Sequence, residues 1–209
     1  EGRKEAWRAE AKLDQTRGVC RDELMRAESS LAGLMDRALF LGLQSIGPIS
    51  EKLNIREKVY GPLCDLFTFD PIIKHAVEQV AGSSLFHIVV QDQDTAIALM
   101  EELYSSKSGR LTFLPLDAFN TNLDVRMELG NDSIRLIDKL DFDQKYEGLM
   151  KHVFGRTFIV EDLGKHDENN HDLVTLHGDR MNRNGVVVGG YHDPKRSRLD
   201  AVKKVKEWR

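Results

Sequence analysis

Potential metal ligands are densest in His166-Asp167-Glu168-Asn169-Asn170-His171-Asp172. Imidazole and carboxylate groups can hold a divalent cation. Here they would all come from one loop, without partner thiols or the fixed spacing of a zinc site. A solvated loop accounts for the run, and no metal is expected. Gly164-Lys165-His166 is the nearest approach to a phosphate loop, but it lacks the hydroxyl residue and the preceding glycine. The segment from Gly185 to Gly190 is glycine-rich, yet no helix start follows it to supply amide donors to a phosphate. Ser84, His87 and Asp92 have the residue types of a nucleophilic triad, but they lie on or beside one strand, too close together for a rigid catalytic frame. His87 and His152 fall in segments of core composition and read as structural. Cys20 and Cys64 form neither a zinc nor a disulfide pattern and read as reduced thiols. No enzyme is expected from these residues, and no cofactor. A small nucleotide-dependent enzyme would need a nucleotide motif that the chain does not offer.

The stretch Gly185-Val186-Val187-Val188-Gly189-Gly190-Tyr191 points elsewhere. A β-branched run closed by two glycines is a strand whose backbone another chain segment must approach closely. It holds no catalytic group, so it suggests an assembly surface. The net charge of −4 over 209 residues provides no global basic field for nucleic acid. Any DNA contact must be local, and Arg180, Arg183, Lys195, Arg196, Arg198, Lys203 and Lys204 are the candidates, each adding a salt-dependent increment. The competing reading of the last of these is the solvated face of a helix.

The elements that would position these residues follow from periodicity. Cys20, Leu24, Ala27, Leu31, Leu34, Ala38 and Leu41 recur at alternating steps of four and three, the seam of a coiled coil. A helical arm is therefore expected over 1–46, stopped by Gly47-Pro48. Asp70-Pro71 is a helix cap with proline at the first position, Ile73, Ala76, Val77 and Val80 form the apolar face, and Gly82 closes the helix. A buried strand is expected from Ser84 to Val90, and a helix from Thr95 to Leu103 with Ile97, Met100 and Leu103 inward. Leu111-Thr112-Phe113-Leu114 reads as a strand stopped by Pro115, and 116–132 as loop.

The same unit then recurs. Asp143 caps a helix carrying Tyr146, Leu149, Met150 and Val153, Gly155 ends it, and a strand runs from Arg156 to Asp162. Each copy is helix, glycine, apolar strand, acidic residue, which suggests two related subdomains. Asp172 to Leu176 is a further strand, and Asn184-Gly185 is a strong hairpin signal. After Pro194, Arg198, Leu199, Val202 and Val205 resume helical spacing, so the last segment could return antiparallel to the first helix. A charged beginning, Glu1-Gly2-Arg3-Lys4-Glu5, and an end within a helical pattern read as an excised piece of a longer chain. No apolar run reaches the ~18 residues of a membrane span, and no membrane partner is expected.

Four stretches together resemble the hinge domain of the SMC (structural maintenance of chromosomes) family. They are Leu85-Phe86-His87-Ile88-Val89-Val90-Gln91-Asp92, Leu111-Thr112-Phe113-Leu114-Pro115-Leu116, Lys151-His152-Val153-Phe154-Gly155-Arg156-Thr157, and Val174-Thr175-Leu176-His177-Gly178-Asp179 leading to Gly189-Gly190. The ending, Gly-Gly-Tyr191-His192-Asp193 and then Arg196-Ser197-Arg198-Leu199, is similar to that of a cohesin-type subunit. The resemblance covers roughly 40–200. It implies an α+β fold of two related mixed α/β subdomains, with an antiparallel coiled-coil stub formed by the terminal helices. The expected divisions are 1–46 for the N-terminal arm, 47–118 and 119–193 for the subdomains, and 194–209 for the returning helix.

The resemblance also implies a role. In this family a strand edge of one hinge pairs with the opposite subdomain of its partner, closing a ring with a small central channel. Gly185, Val186, Val187, Val188, Gly189, Gly190 and Tyr191 would form that contact. The implied partner is the hinge of the first-type cohesin SMC subunit, in a nuclear, chromosome-bound ring that entraps DNA during sister-chromatid cohesion. Weak, salt-dependent DNA binding and cohesin regulatory subunits are further implied partners. The ATPase heads would lie at the far ends of the coiled coil. The alternative is a homodimeric SMC-like hinge that binds DNA directly at the junction of hinge and coil.

Overall fold

The computed structural model describes residues 2–119, 134–165, 171–191 and 197–208. It divides into two compact units, one of residues 1–37 with 193–209, the other of residues 38–192.

The first unit is a helix pair. Helix α1 (Gly2–Gly33) and helix α6 (Arg198–Trp208) bury Ala27, Leu31, Ala201 and Val205 between them, with Leu24, Leu34, Met35 and Val202 at the margins. Leu24, Ala27, Leu31 and Leu34 are the middle of the heptad seam, so the four-and-three spacing does find a helical partner. Ser197 caps α6, its Oγ accepting from the N–H of Asp200 at 3.1 Å.

The helix expected to run unbroken over 1–46 is interrupted. It ends after Gly33, a poor helix former, where the N–H of Leu34 donates back to Leu31 C=O in a tighter turn. Helix α2 (Arg37–Lys52) then begins and carries Pro48 in its interior. Gly47-Pro48 is therefore not the stop that local propensity predicts. The reason is tertiary: beyond Pro48, Ile49 is buried in an apolar cluster with Leu43, Ile46 and Leu53 packed around it, and that burial offsets the lost hydrogen bond.

The second unit contains the repeat. In its first half, β1 (Val59–Pro62) pairs antiparallel with β3 (Ile88–Val90), which pairs parallel with β4 (Phe113–Pro115). Helix α4 (Gln93–Ser106) makes the crossover that parallel pairing requires. In the second half, β5 (Ile134–Arg135) pairs antiparallel with β7 (Thr157–Ile159), which pairs parallel with β8 (Asp172–Val174). The pairing scheme is the same in both halves. The second sheet then gains a hairpin, β9 (Arg180–Met181) and β10 (Val187–Val188), giving the order β10-β9-β8-β7-β5.

The halves join through a third, two-stranded sheet. Strand β2 (Phe67–Phe69) runs antiparallel to β6 (Leu140–Phe142), with Phe67 facing Phe142, Thr68 facing Asp141 and Phe69 facing Leu140. The shift that carries Asp70 onto Asp143 carries β2 onto β6 and helix α3 (Lys74–Ala81) onto helix α5 (Glu147–Phe154), residue for residue. It also carries the buried Ala76, Val77 and Ala81 onto the buried Leu149, Met150 and Phe154. Both predicted caps form. Asp70 Oδ1 accepts from the N–H of Ile72 at 2.9 Å, and Asp143 Oδ1 from that of Lys145 at 3.0 Å, each opening a short 3-10 turn that runs into its α-helix.

Three local expectations change. The strand expected from Ser84 starts only at Ile88, because Gly82–Phe86 forms a 3-10 helix that already buries Leu85 and Phe86. Pro115 lies inside β4 rather than after it, which a sheet edge tolerates. Helix α4 turns Ala96, Leu99 and Leu103 inward, leaving Ile97 and Met100 exposed. Its phase is set by Asp92, whose Oδ1 accepts from both the N–H and the hydroxyl of Thr95, at 2.8 and 2.6 Å. Those bonds, helped by Lys58, hold the Asp92 carboxyl below its ordinary pKa.

Candidate interaction surface

The chemistry of β10 starts with its turn. Asn182 C=O accepts from Gly185 N–H at 2.8 Å, its N–H donates to Val186 C=O at 3.0 Å, and its side-chain oxygen accepts from the N–H groups of Asn184 and Val186. Gly185 adopts φ +79°, a value that an L side chain resists. The hairpin expected at Asn184-Gly185 forms, but its turn runs from Asn182 to Gly185 with only Gly185 at positive φ, and it places Val187 opposite Met181 and Val188 opposite Arg180.

β10 is the last strand of its sheet. Val186, Val187 and Val188 are 56, 61 and 55% exposed, and Tyr191 is 94% exposed. Among the described residues no strand pairs with the outer edge of β10, so three adjacent β-branched residues in water beside that row of backbone groups form a template for another strand. The strand has no counterpart in the first half, whose sheet ends at β4.

The glycines of the tail have reasons inside the chain. A Cβ on Gly189 would stand 2.3 Å from Asp179 Oδ1. Gly190 takes φ +121° and donates its N–H to the same oxygen at 3.0 Å. Beside this turn lies an open groove of about 540 Å³ lined by Glu161, Asp162, His177, Asp179, Val187 and Gly189 among others. Asp179 is the residue that sequence reasoning passed over. Its signal was available, since it ends the Val174 to Asp179 stretch, but its contact to Gly190 spans eleven residues of chain.

The basic candidates are not brought together as one site. Arg180 lies half-buried on β9 with its guanidinium 3.4 Å from Asp172 Oδ2, so its charge is already matched. Arg183 is exposed, and its backbone N–H donates to Asp172 Oδ1 at 3.0 Å. Arg198, Lys203 and Lys204 are exposed on α6. Lys195 and Arg196 lie outside the described residues, as does most of the His166 to Asp172 run. Of the residues in that run that are described, His171 packs its ring edge-on to Phe158 at 5.1 Å, and Asp172 serves Arg180 and Arg183. His87 is half-buried, and burial lowers its pKa from 6.5. His152 is exposed on α5 with its ring 4.8 Å from that of Phe119, rather than in the core. Among the described residues no group of His, Cys, Asp and Glu side chains is arranged to hold a metal ion.

Comparison with known proteins places this surface in context. Residues 56–165 match the family described as SMC proteins Flexible Hinge Domain. The chain is 45% identical over 99% of its length to a Cryptococcus neoformans protein named Urease accessory protein 2, of which it covers 17%. It is 37% identical over 99% of its length to structural maintenance of chromosomes protein 3 of Saccharomyces cerevisiae, of which it covers 18%. It thus spans under one fifth of these relatives. A solved structure titled "Folded elbow of cohesin" superposes with a TM-score of 0.83 at 36% identity, over 99% of this chain and 30% of the other.

Proposed function

The chain belongs to the SMC flexible hinge family, and on that premise we propose that it is the dimerisation hinge of a cohesin SMC subunit. Its partner is the hinge of the first-type SMC subunit. The open edge of β10 adds to a sheet of the opposite subdomain of that partner, main-chain hydrogen bonds supply the affinity, and the alternating side chains supply the fit. Joining two SMC arms in this way closes a ring on the chromosome, in the nucleus, within which DNA is held. A hinge is not a catalytic domain, and ATP turnover belongs to the heads of the longer protein.

The observation that carries the reading is the β9–β10 hairpin. Among the described residues it has no equivalent in the first half of the repeat, and it exposes three consecutive valines on an edge that no described strand pairs. Monomeric proteins blunt such an edge with charge, proline or a bulge, and β10 carries none of these.

The test is light scattering on a size-exclusion column, with the chain alone and then mixed with the first-type cohesin hinge. A 1:1 complex is expected. A stable self-dimer that ignores that partner would replace this reading with a homodimeric hinge.

A further inference from the structure

We propose that Asp179 is the positioning residue of the β10 edge, setting the conformation in which a partner strand meets it; this rests on the reading of that edge as the dimer contact.

The register shows how it acts. Val188 opposite Arg180 is the last ladder pair between β10 and β9. One step further, Gly189 would face Asp179, and there the backbone pairing ends. The Asp179 carboxylate takes over, accepting the N–H of Gly190 at 3.0 Å. A bond to an ionised acceptor is roughly twice as strong as a neutral one. The chain therefore leaves the sheet at a defined place and not by fraying.

The Asp179 backbone is itself held firmly. Asp179 N–H donates to Thr175 Oγ1 at 3.1 Å, and its C=O accepts from Thr175 N–H at 2.8 Å. Gly178 N–H donates to Thr175 C=O at 3.0 Å, closing the turn. Thr175 is buried, 7% exposed. A buried threonine thus anchors the Asp179 backbone, and the Asp179 side chain anchors the end of the exposed edge.

Gly189 is explained by the same contact. A Cβ there would be 2.3 Å from Oδ1, 3.0 Å from Cγ and 3.2 Å from Cβ of Asp179. Nothing within 4 Å would meet a Cβ on Gly190, whose requirement is its φ of +121°. The Gly-Gly pair is therefore a fit to Asp179 at the first position and a backbone conformation at the second. Together they fix how Tyr191 and the β10 edge are offered to a partner.

The experiment compares Asp179→Ala and Asp179→Asn with the unaltered chain, using Val188→Glu as a separate probe of the edge. Two quantities are read, hydrogen exchange at the Gly190 amide and calorimetric affinity for the first-type cohesin hinge. Melting temperature is the control for folding. Asp179→Ala is expected to speed Gly190 exchange and weaken binding, each by about tenfold. Asp179→Asn keeps an acceptor oxygen in the same place, though a neutral one, and is expected to restore both in large part relative to Asp179→Ala. Gly189→Ala is expected to weaken binding in the unaltered chain but to add little in the Asp179→Ala background, since neighbours that clash do not act additively.

The proposal is overturned if Asp179→Ala binds normally while Val188→Glu does not, for then the edge is the contact and Asp179 does not position it. It is also overturned if Asp179→Asn restores the Gly190 amide but not the affinity. Normal binding by both Asp179→Ala and Val188→Glu would instead overturn the edge reading itself, and this proposal with it.

Discussion

Thr68 and Asp141 face one another across the β2–β6 ladder and are also each other's counterparts in the repeat. Their neighbours obey the same rule. Phe67 faces Phe142, the counterpart of Phe69, and Phe69 faces Leu140, the counterpart of Phe67. Pairing of equivalents about a central pair is what a local twofold relation produces. The burial pattern agrees, since in both strands the first residue is buried, the second exposed and the third intermediate.

The seam between the halves is a main store of stability. Phe154 of α5 is fully buried and meets Phe67 of β2 edge-on, with ring centroids 5.3 Å apart. Phe154→Ala should cost about 3–5 kcal/mol, seen as a lowered urea midpoint. A loss under ~1 kcal/mol would show that the site collapses around the missing ring.

Gly178 is a second contact between the halves. It has φ +92°, and a Cβ there would lie 3.1 Å from Gln79 Cγ and 3.4 Å from His75 Cβ on α3. Gly178→Ala combines backbone strain with crowding and should destabilise by about 1–3 kcal/mol. An unchanged midpoint would mean that α3 gives way freely.

His87 should tilt stability with pH. Burial disfavours its imidazolium, so the unfolded chain takes up the proton first. With more protons bound by the unfolded state, stability rises with pH in that window. As pH falls through the unfolded value near 6.5, wild type should lose stability relative to His87→Gln, until the lowered folded value is passed. Parallel stability curves for the two proteins between pH 8 and pH 5 would refute this.

The arginines of the β9–β10 hairpin should differ towards DNA. Arg180 is paired with Asp172, whereas the Arg183 side chain is exposed. If the chain binds duplex DNA, Arg183→Gln should reduce the slope of log affinity against log salt by about 0.9. Arg180→Gln should leave that slope unchanged. Fluorescence anisotropy across a salt series reads both, and equal effects would contradict the assignment.

Much of this was legible in the residues. Asp70 and Asp143 marked their helix starts because a carboxylate cap is a local device, and Gly185 marked the hairpin because its φ of +79° selects glycine. What escaped was set by distant groups. Pro48 is tolerated in α2 because Ile49 is buried beyond it. Ile97 and Met100 face water because Asp92 fixes the phase of α4 and its inner face takes smaller Ala96 beside Leu99 and Leu103. Asp179 reaches Gly190 only after the hairpin folds back, which no periodicity announces.

The matched helices α3 and α5 pack together although their counterpart residues differ greatly in bulk. Ala76, Val77 and Ala81 of one stand for Leu149, Met150 and Phe154 of the other. Doubling the first half would replace the bulkier buried set by the smaller one, and doubling the second would do the reverse. The halves share a plan but are not interchangeable parts, so a chimera made by doubling either one should fail at the junction, while each sheet keeps its own strand order.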